Sequence, residues 1–221
     1  MFVGHYGVSF AARRFYPSVP LWVFFVAVQL LDVVWAPLIM LGIEHVRIVP
    51  GITASNPLDL YYMPYTHSLV AAVAWSGVAY IGWRIWRAHG AAAGAAAAVG
   101  WAVASHWILD AVVHRPDLPL YDNTAKVGLG LWNQPLVAFA LESILLLGGV
   151  ALYVRTNGAR RRAVWTFAAA MLAVHTLVFF GAPPKTPTMA AGMAFGSYLA
   201  FAAVAAWLER RPEADRGAAA V

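Results

Sequence analysis

His106, Asp110 and His114 stand four residues apart in the apolar run Ser105-His106-Trp107-Ile108-Leu109-Asp110-Ala111-Val112-Val113-His114. On a helix, positions i, i+4 and i+8 share nearly one face, so the spacing predicts two imidazoles and a carboxylate pointing the same way. Ionisable groups at membrane depth are costly, and they normally face a bundle interior or a watery cavity and carry function. Imidazole with carboxylate suits a divalent metal, zinc foremost with iron or manganese as alternatives, whereas copper(I) would prefer sulfur. The other titratable groups within or beside apolar segments are His5, Asp32, His67, Glu142 and His175.

The elements that must position these groups follow from composition. Of 221 residues, 62% are hydrophobic and 11% charged, against about 25% charged in a soluble domain. Mean hydropathy is +0.66. So few charges cannot cover a soluble surface, and the expectation is an all-α, polytopic membrane bundle forming one domain. The absence of cysteine excludes disulfides, thiolate metal sites and cysteine nucleophiles. A net charge of +5 would suit a nucleic-acid partner only if it were clustered. The basic residues sit instead at span ends, so no nucleic acid is expected.

Six spans are expected, near Leu21–Leu41, Thr66–Trp86, Ala91–Val113, Gln134–Val154, Ala163–Gly181 and Met189–Leu208. A short re-entrant or interfacial helix over residues 1–16 precedes them, and a polar tail over 209–221 follows. The start of the chain has neither the basic region nor the small-residue cleavage site of a signal peptide. Pro37 is expected to kink the first span, and the Ala/Gly-rich stretch from Ala91 to Gly100 to allow close helix packing. Of the 15 Lys and Arg, Arg47, Arg115, Lys126 and Lys185 fall on one face; the other eleven share the face that carries both termini. The positive-inside rule then makes both termini cytoplasmic. The two long loops, 42–65 and 114–133, become ordered, proline-punctuated caps on the opposite side.

Asp32, His67, His106 and Asp110 all fall in the half of the membrane beneath those caps, given the rise of about 1.5 Å per residue. His5 joins that level if the N-terminal helix re-enters the membrane, and the convergence of four segments predicts a shared metal site centred on His67, His106 and Asp110. An ion would also explain how two carboxylates stay charged in an apolar setting. Whichever of Asp32 and Asp110 is not needed as a ligand would serve as general base. Other residues are assigned bland roles. His175 is a packing histidine, and Glu142 is a helix–helix bond or a support to the site. His114 is a cation at a helix end and a rim candidate. His45 and His89 are interfacial loop residues, and Trp22, Trp86, Trp132 and Trp207 form an aromatic belt.

Gly4-His5, an aspartate in the first span, Thr66-His67-Ser68-Leu69 and Ser105-His106-Trp107-Ile108-Leu109-Asp110 occur in the order of the YdjM-like family of bacterial inner-membrane metal-dependent hydrolases. The resemblance covers roughly residues 1–120 and extends to Pro119-Leu120 after the last motif. It implies a metal site of His5, Asp32, His67, His106 and Asp110 and a hydrolytic activity in a bacterial inner membrane. The family's Pro-Asp-x-Asp stands here as Leu31-Asp32-Val33-Val34, one carboxylate short, and its His-Arg-Gly as Tyr62-Met63-Pro64. Asp59 and His114 are the residues able to compensate. The leading expectation is a hydrolase of a lipid or amphipathic (phospho)ester, with membrane lipids as partners. The alternatives are a permease-like carrier using the same cluster, and a non-catalytic subunit of a homo-oligomer or larger complex whose helices the metal staples.

Overall fold

A computed structural model describes residues 1–87, 93–155 and 160–210. His89 and the tail from residue 211 lie outside them. Eight helices follow in chain order: α1 (Gly4–Phe15), α2 (Leu21–Val28), α3 (Leu30–Met40), α4 (Leu69–Trp86), α5 (Ala93–Val113), α6 (Pro135–Val154), α7 (Arg161–Phe180) and α8 (Pro187–Leu208). Among the described residues, five of them are individually long and apolar enough to cross a membrane, and the bent pair α2 and α3 passes the same test only when taken together. The expected all-α bundle is present, with five spans, or six if that pair is one, at boundaries shifted by a few residues.

Lipid-like surfaces remain on the outside, as a membrane requires. Ile81, Ile85 and Trp86 of α4 are exposed, as are Leu136 and Ile144 of α6 and Leu177 of α7. Inside, an aromatic core of Tyr6, Phe10, Phe24, Phe25, Phe167 and Phe201 packs where α1, α2, α7 and α8 meet. The Ala/Gly-rich start of α5 packs on α4, with Gly100 against the Ser76 carbonyl and Ala95, Ala96 and Ala98 buried.

Helix α1 is the short helix anticipated. Twelve residues at about 1.5 Å each span roughly half of a hydrocarbon core. Its first half is buried (Gly4, His5, Tyr6, Gly7, Ser9 and Phe10) because two glycines let it touch α6 backbone to backbone. A Cβ on Gly7 would collide with the Leu145 carbonyl, and one on Gly149 with the Gly7 backbone. Glu142 then accepts hydrogen bonds from the Phe2 and Gly4 amides at 2.7 and 3.3 Å, satisfying donors that a helix start leaves open. At the other end of α1, Arg13 pairs with Glu209 at 2.5 Å, and Glu209 also accepts from the Leu21 amide at 2.6 Å.

The first full span breaks at Gln29, with a 53° bend between α2 and α3; α3 runs on through Pro37. The expectation named Pro37 and did not anticipate the break at Gln29. The break at Gln29 persists because the groups it frees find partners. The Gln29 amide side chain donates to the Phe2 carbonyl at 3.3 Å, and the Val28 carbonyl receives a histidine described below.

The two loops join into one cap. Residues 42–65 hold an antiparallel hairpin, β1 (His45–Ile48) with β2 (Leu58–Tyr62), which the sequence pattern did not suggest. Ser55 donates to the Trp132 carbonyl at 2.8 Å, and Asn123 and Lys126 donate to the Tyr61 carbonyl at 3.1 and 2.7 Å. His45 is exposed and stacks on Tyr61 at 5.9 Å.

The glycine contact yields the first prediction. Gly149→Ala will lower stability by about 1–3 kcal/mol through overpacking. Gly148→Ala, with open space around its Cβ position, will be near neutral. Thermal unfolding of both variants in one detergent tests this, and equal melting temperatures would refute it.

Candidate metal centre

Each expected member of the site arrives from a different element. His5 lies on the first turn of α1, Asp32 on the first turn of α3, His67 just before α4, and His106 and Asp110 on α5. All but Asp32 are almost fully buried, and the Asp32 side chain is 13% exposed. Asp32 benefits from the partial positive charge of a helix N-terminus.

The side chains meet. His67 Nε2 is 3.3 Å from Asp32 Oδ1 and 3.9 Å from Asp110 Oδ2; His106 Nε2 is 3.8 and 3.1 Å from the same two oxygens. His5 Nε2 is 3.2 Å from Asp110 Oδ1, and its ring stacks on that of His106 at 4.0 Å and 8°. The Met1 nitrogen also pairs with Asp110 Oδ1. Asp32 Oδ2 accepts the Tyr198 hydroxyl at 2.7 Å.

The tautomers follow from what each Nδ1 touches. His106 Nδ1 is 2.7 Å from the Val28 carbonyl, at the end of α2 where carbonyls lack helical partners. A carbonyl only accepts, so Nδ1 carries a hydrogen, and in the neutral ring Nε2 presents a lone pair. That buried Nε2 has no hydrogen-bond partner. His67 Nδ1 is 2.7 Å from Thr66 Oγ1, and Thr66 spends its single hydrogen on Glu44 Oε2 at 2.6 Å. The hydroxyl oxygen therefore accepts from His67 Nδ1, and His67 Nε2 is again free. Glu44 also receives the Tyr65 and Thr66 amides at 2.8 and 3.0 Å, while burial pushes its carboxyl above the usual value.

With neutral rings, imidazole lone pairs face carboxylate oxygens, an arrangement that a ring proton or a cation between them relieves. Zinc–nitrogen and zinc–oxygen bonds of about 2.0–2.2 Å in a tetrahedron place two donors roughly 3.3 Å apart. The separations of 3.1–3.9 Å bracket that figure. Two donor sets suit an ion: His5, His106 and Asp110, and Asp32, His67 and His106, the atoms of each lying within 4.8 Å of one another. Both use His106, whose Nδ1 is committed to Val28, so Nε2 can serve only one ion at a time. They are two placements of one ion, and the residues present fit it.

Three sequence assignments change. His114 is not at the rim: it is 3% exposed, with Nε2 3.5 Å from Asp110 Oδ2 and Nδ1 2.9 Å from Asp117 Oδ1. Trp132 is not in the aromatic belt; it is buried over the His114 ring at 4.2 Å. Asp59 does not replace the missing carboxylate, because Arg47 and Arg115 occupy it within the cap. Thr66 and Glu44 went unrecognised as supports. The Thr–His pair was visible in the sequence, but nothing local linked it to Glu44, 22 residues earlier. Glu142 proves to be a helix–helix bond, and His175 a packing residue stacked on Phe139 at 4.7 Å.

No family model, curated protein or solved structure matches the chain.

The orienting bonds are testable without touching a donor. Thr66→Val keeps volume but removes the acceptor for His67 Nδ1, and will weaken metal binding about 10–100-fold, as lost outer-shell partners do. Chelator competition measures this, and an unchanged affinity would remove Thr66 from the site.

Proposed function

We propose that the chain is a membrane-embedded, metal-dependent hydrolase acting on a lipid or other amphipathic ester or phosphoester from the capped, non-cytoplasmic side. The carrying observation is the convergence of oriented imidazoles on two buried carboxylates inside an apolar bundle, at a depth an amphipath can reach. The excess of Lys and Arg at the end of the bundle away from the cap supports the orientation. The Gly-His, Thr-His-Ser and Ser-His-x-x-x-Asp motifs that resemble the YdjM-like family support a bacterial inner membrane and hydrolytic chemistry. Zinc is the ion best suited to a mixed nitrogen and oxygen donor set, ahead of iron and manganese.

Roles follow from what each oxygen already holds. Asp110 turns both oxygens towards nitrogens, which suits a ligand. Asp32 anchors one oxygen on Tyr198 and is the most open of the five, so it is the candidate general base, accepting a proton from the attacking water. His67 and His106 have Nε2 left for coordination, and His5 backs His106 by stacking. A bound divalent ion would polarise the substrate oxygen and lower the pKa of water beside it. The packed aromatic layer on the side of the cluster away from the cap favours a one-sided site over a carrier's path.

Elemental analysis of the purified chain will find one divalent ion per chain, and His67→Ala and His106→Ala will each lose it. Lipid vesicles mixed with the native protein will release ester or phosphoester product, and chelation will stop it. Protein without stoichiometric metal overturns the proposal. Metal without turnover, together with a bundle that unfolds on chelation, would select the stapled-subunit reading.

A further inference from the structure

His114 is oriented by the cap rather than by the bundle. Asp117 Oδ1 can only accept, so His114 Nδ1, 2.9 Å away, carries a hydrogen, and Nε2, 3.5 Å from Asp110 Oδ2, is the nitrogen left for an ion. That separation resembles those of His67 and His106 from the same carboxylate, and it suits two donors on one ion. A histidine whose outer nitrogen donates to a carboxylate is the usual build of a metal ligand.

The chain of contacts continues outward. Asp117 Oδ2 accepts from Arg115 Nε at 3.1 Å, Arg115 bonds Asp59 on β2, and Asp59 accepts from Arg47 on β1 at 2.5 Å. The loop also folds back onto the end of α5. The Leu129 amide donates to the Ala111 carbonyl at 2.8 Å and the Gly130 amide to that of His114 at 2.6 Å. Gly128, at φ +155°, has no room for a Cβ against the His114 and Arg115 carbonyls, so only glycine lets the loop lie this close.

We propose that His114, at the end of α5, is a further ligand of the ion, held in place by the extramembrane cap, so that metal loading and cap docking form one equilibrium. This rests on the metal centre proposed above and not on the hydrolytic chemistry. An ion gripped by bundle and cap together stabilises the docked cap by its binding free energy, and a docked cap raises the affinity for the ion by the same factor.

The test uses the full chain in detergent, stripped of metal and titrated with Zn²⁺ and Co²⁺. Three quantities are read: chelator-competition affinity, the visible absorption of bound Co²⁺, and tryptic cleavage after Lys126. Arg115 precedes Pro116 and resists trypsin, so Lys126 reports on this loop. In the native chain, metal will slow cleavage at Lys126. His114→Ala will weaken affinity at least as much as the roughly 10–100-fold expected for Asp117→Asn, which removes only the orienting acceptor. It will also change the Co²⁺ spectrum and abolish protection at Lys126. Asp117→Asn keeps the imidazole, so it remains informative if His114→Ala does not fold. Native affinity and spectrum in both variants, while His106→Ala loses metal, overturns the assignment and leaves the centre standing. Metal bound as described but without hydrolysis overturns only the hydrolase reading. A native chain that takes up no metal overturns both.

Discussion

Two carboxylates buried in an apolar bundle set the terms for everything around them. An ion removed from water costs several kcal/mol unless opposite charge and hydrogen bonds replace its hydration. Asp110 is nearly inaccessible and Asp32 only slightly open. Among the described residues, the groups turned towards them are chiefly imidazoles whose Nδ1 hydrogens point away, to Val28, Thr66 and Asp117. Such rings neutralise a carboxylate only through an added proton or a shared metal ion. The outer partners suit either state, because Nδ1 carries its hydrogen in both.

That requirement explains features that look like defects in isolation. A break in the middle of a membrane span leaves backbone groups without partners, which hydrocarbon penalises. Here the Val28 carbonyl is taken by His106 and the Gln29 side chain by Phe2. The bend also starts a new helix two residues before Asp32, which places the carboxylate in a first turn. A half-length helix such as α1 is likewise costly at membrane depth, where its first amides lack partners. Glu142 supplies the acceptor, and the Gly7–Gly149 contact brings α1 close enough to use it. His5 reaches Asp110 because of both.

The cap supplies the outer partners that the bundle cannot. Glu44 lies before the hairpin and holds Thr66; Asp117 lies beyond α5 and holds His114. Both acids sit at the boundary between span and loop, where a carboxylate is cheaper to keep than in the bundle. The ion pairs among Arg47, Asp59, Arg115 and Asp117 then tie the two loops to each other and to the centre. An opening of either loop would loosen the imidazole it orients.

By itself the sequence determined what depends on local periodicity and composition. The six apolar stretches, the common depth of Asp32, His67, His106 and Asp110, and the shared face of His106 and Asp110 needed only helical geometry and the cost of buried charge. Tertiary structure decided what depends on distant backbone groups. It placed a span break at Gln29, because the use of Val28's carbonyl by a residue 78 positions away leaves no local mark. It turned His114 from a helix-end cation into a neighbour of Asp110, since only the folded loop brings Asp117 and Trp132 onto the ring. It enlisted Glu44 and moved Trp132 inward for the same reason. Residue types and helical spacing announce which groups are costly to bury, but only the assembled chain shows what relieves the cost.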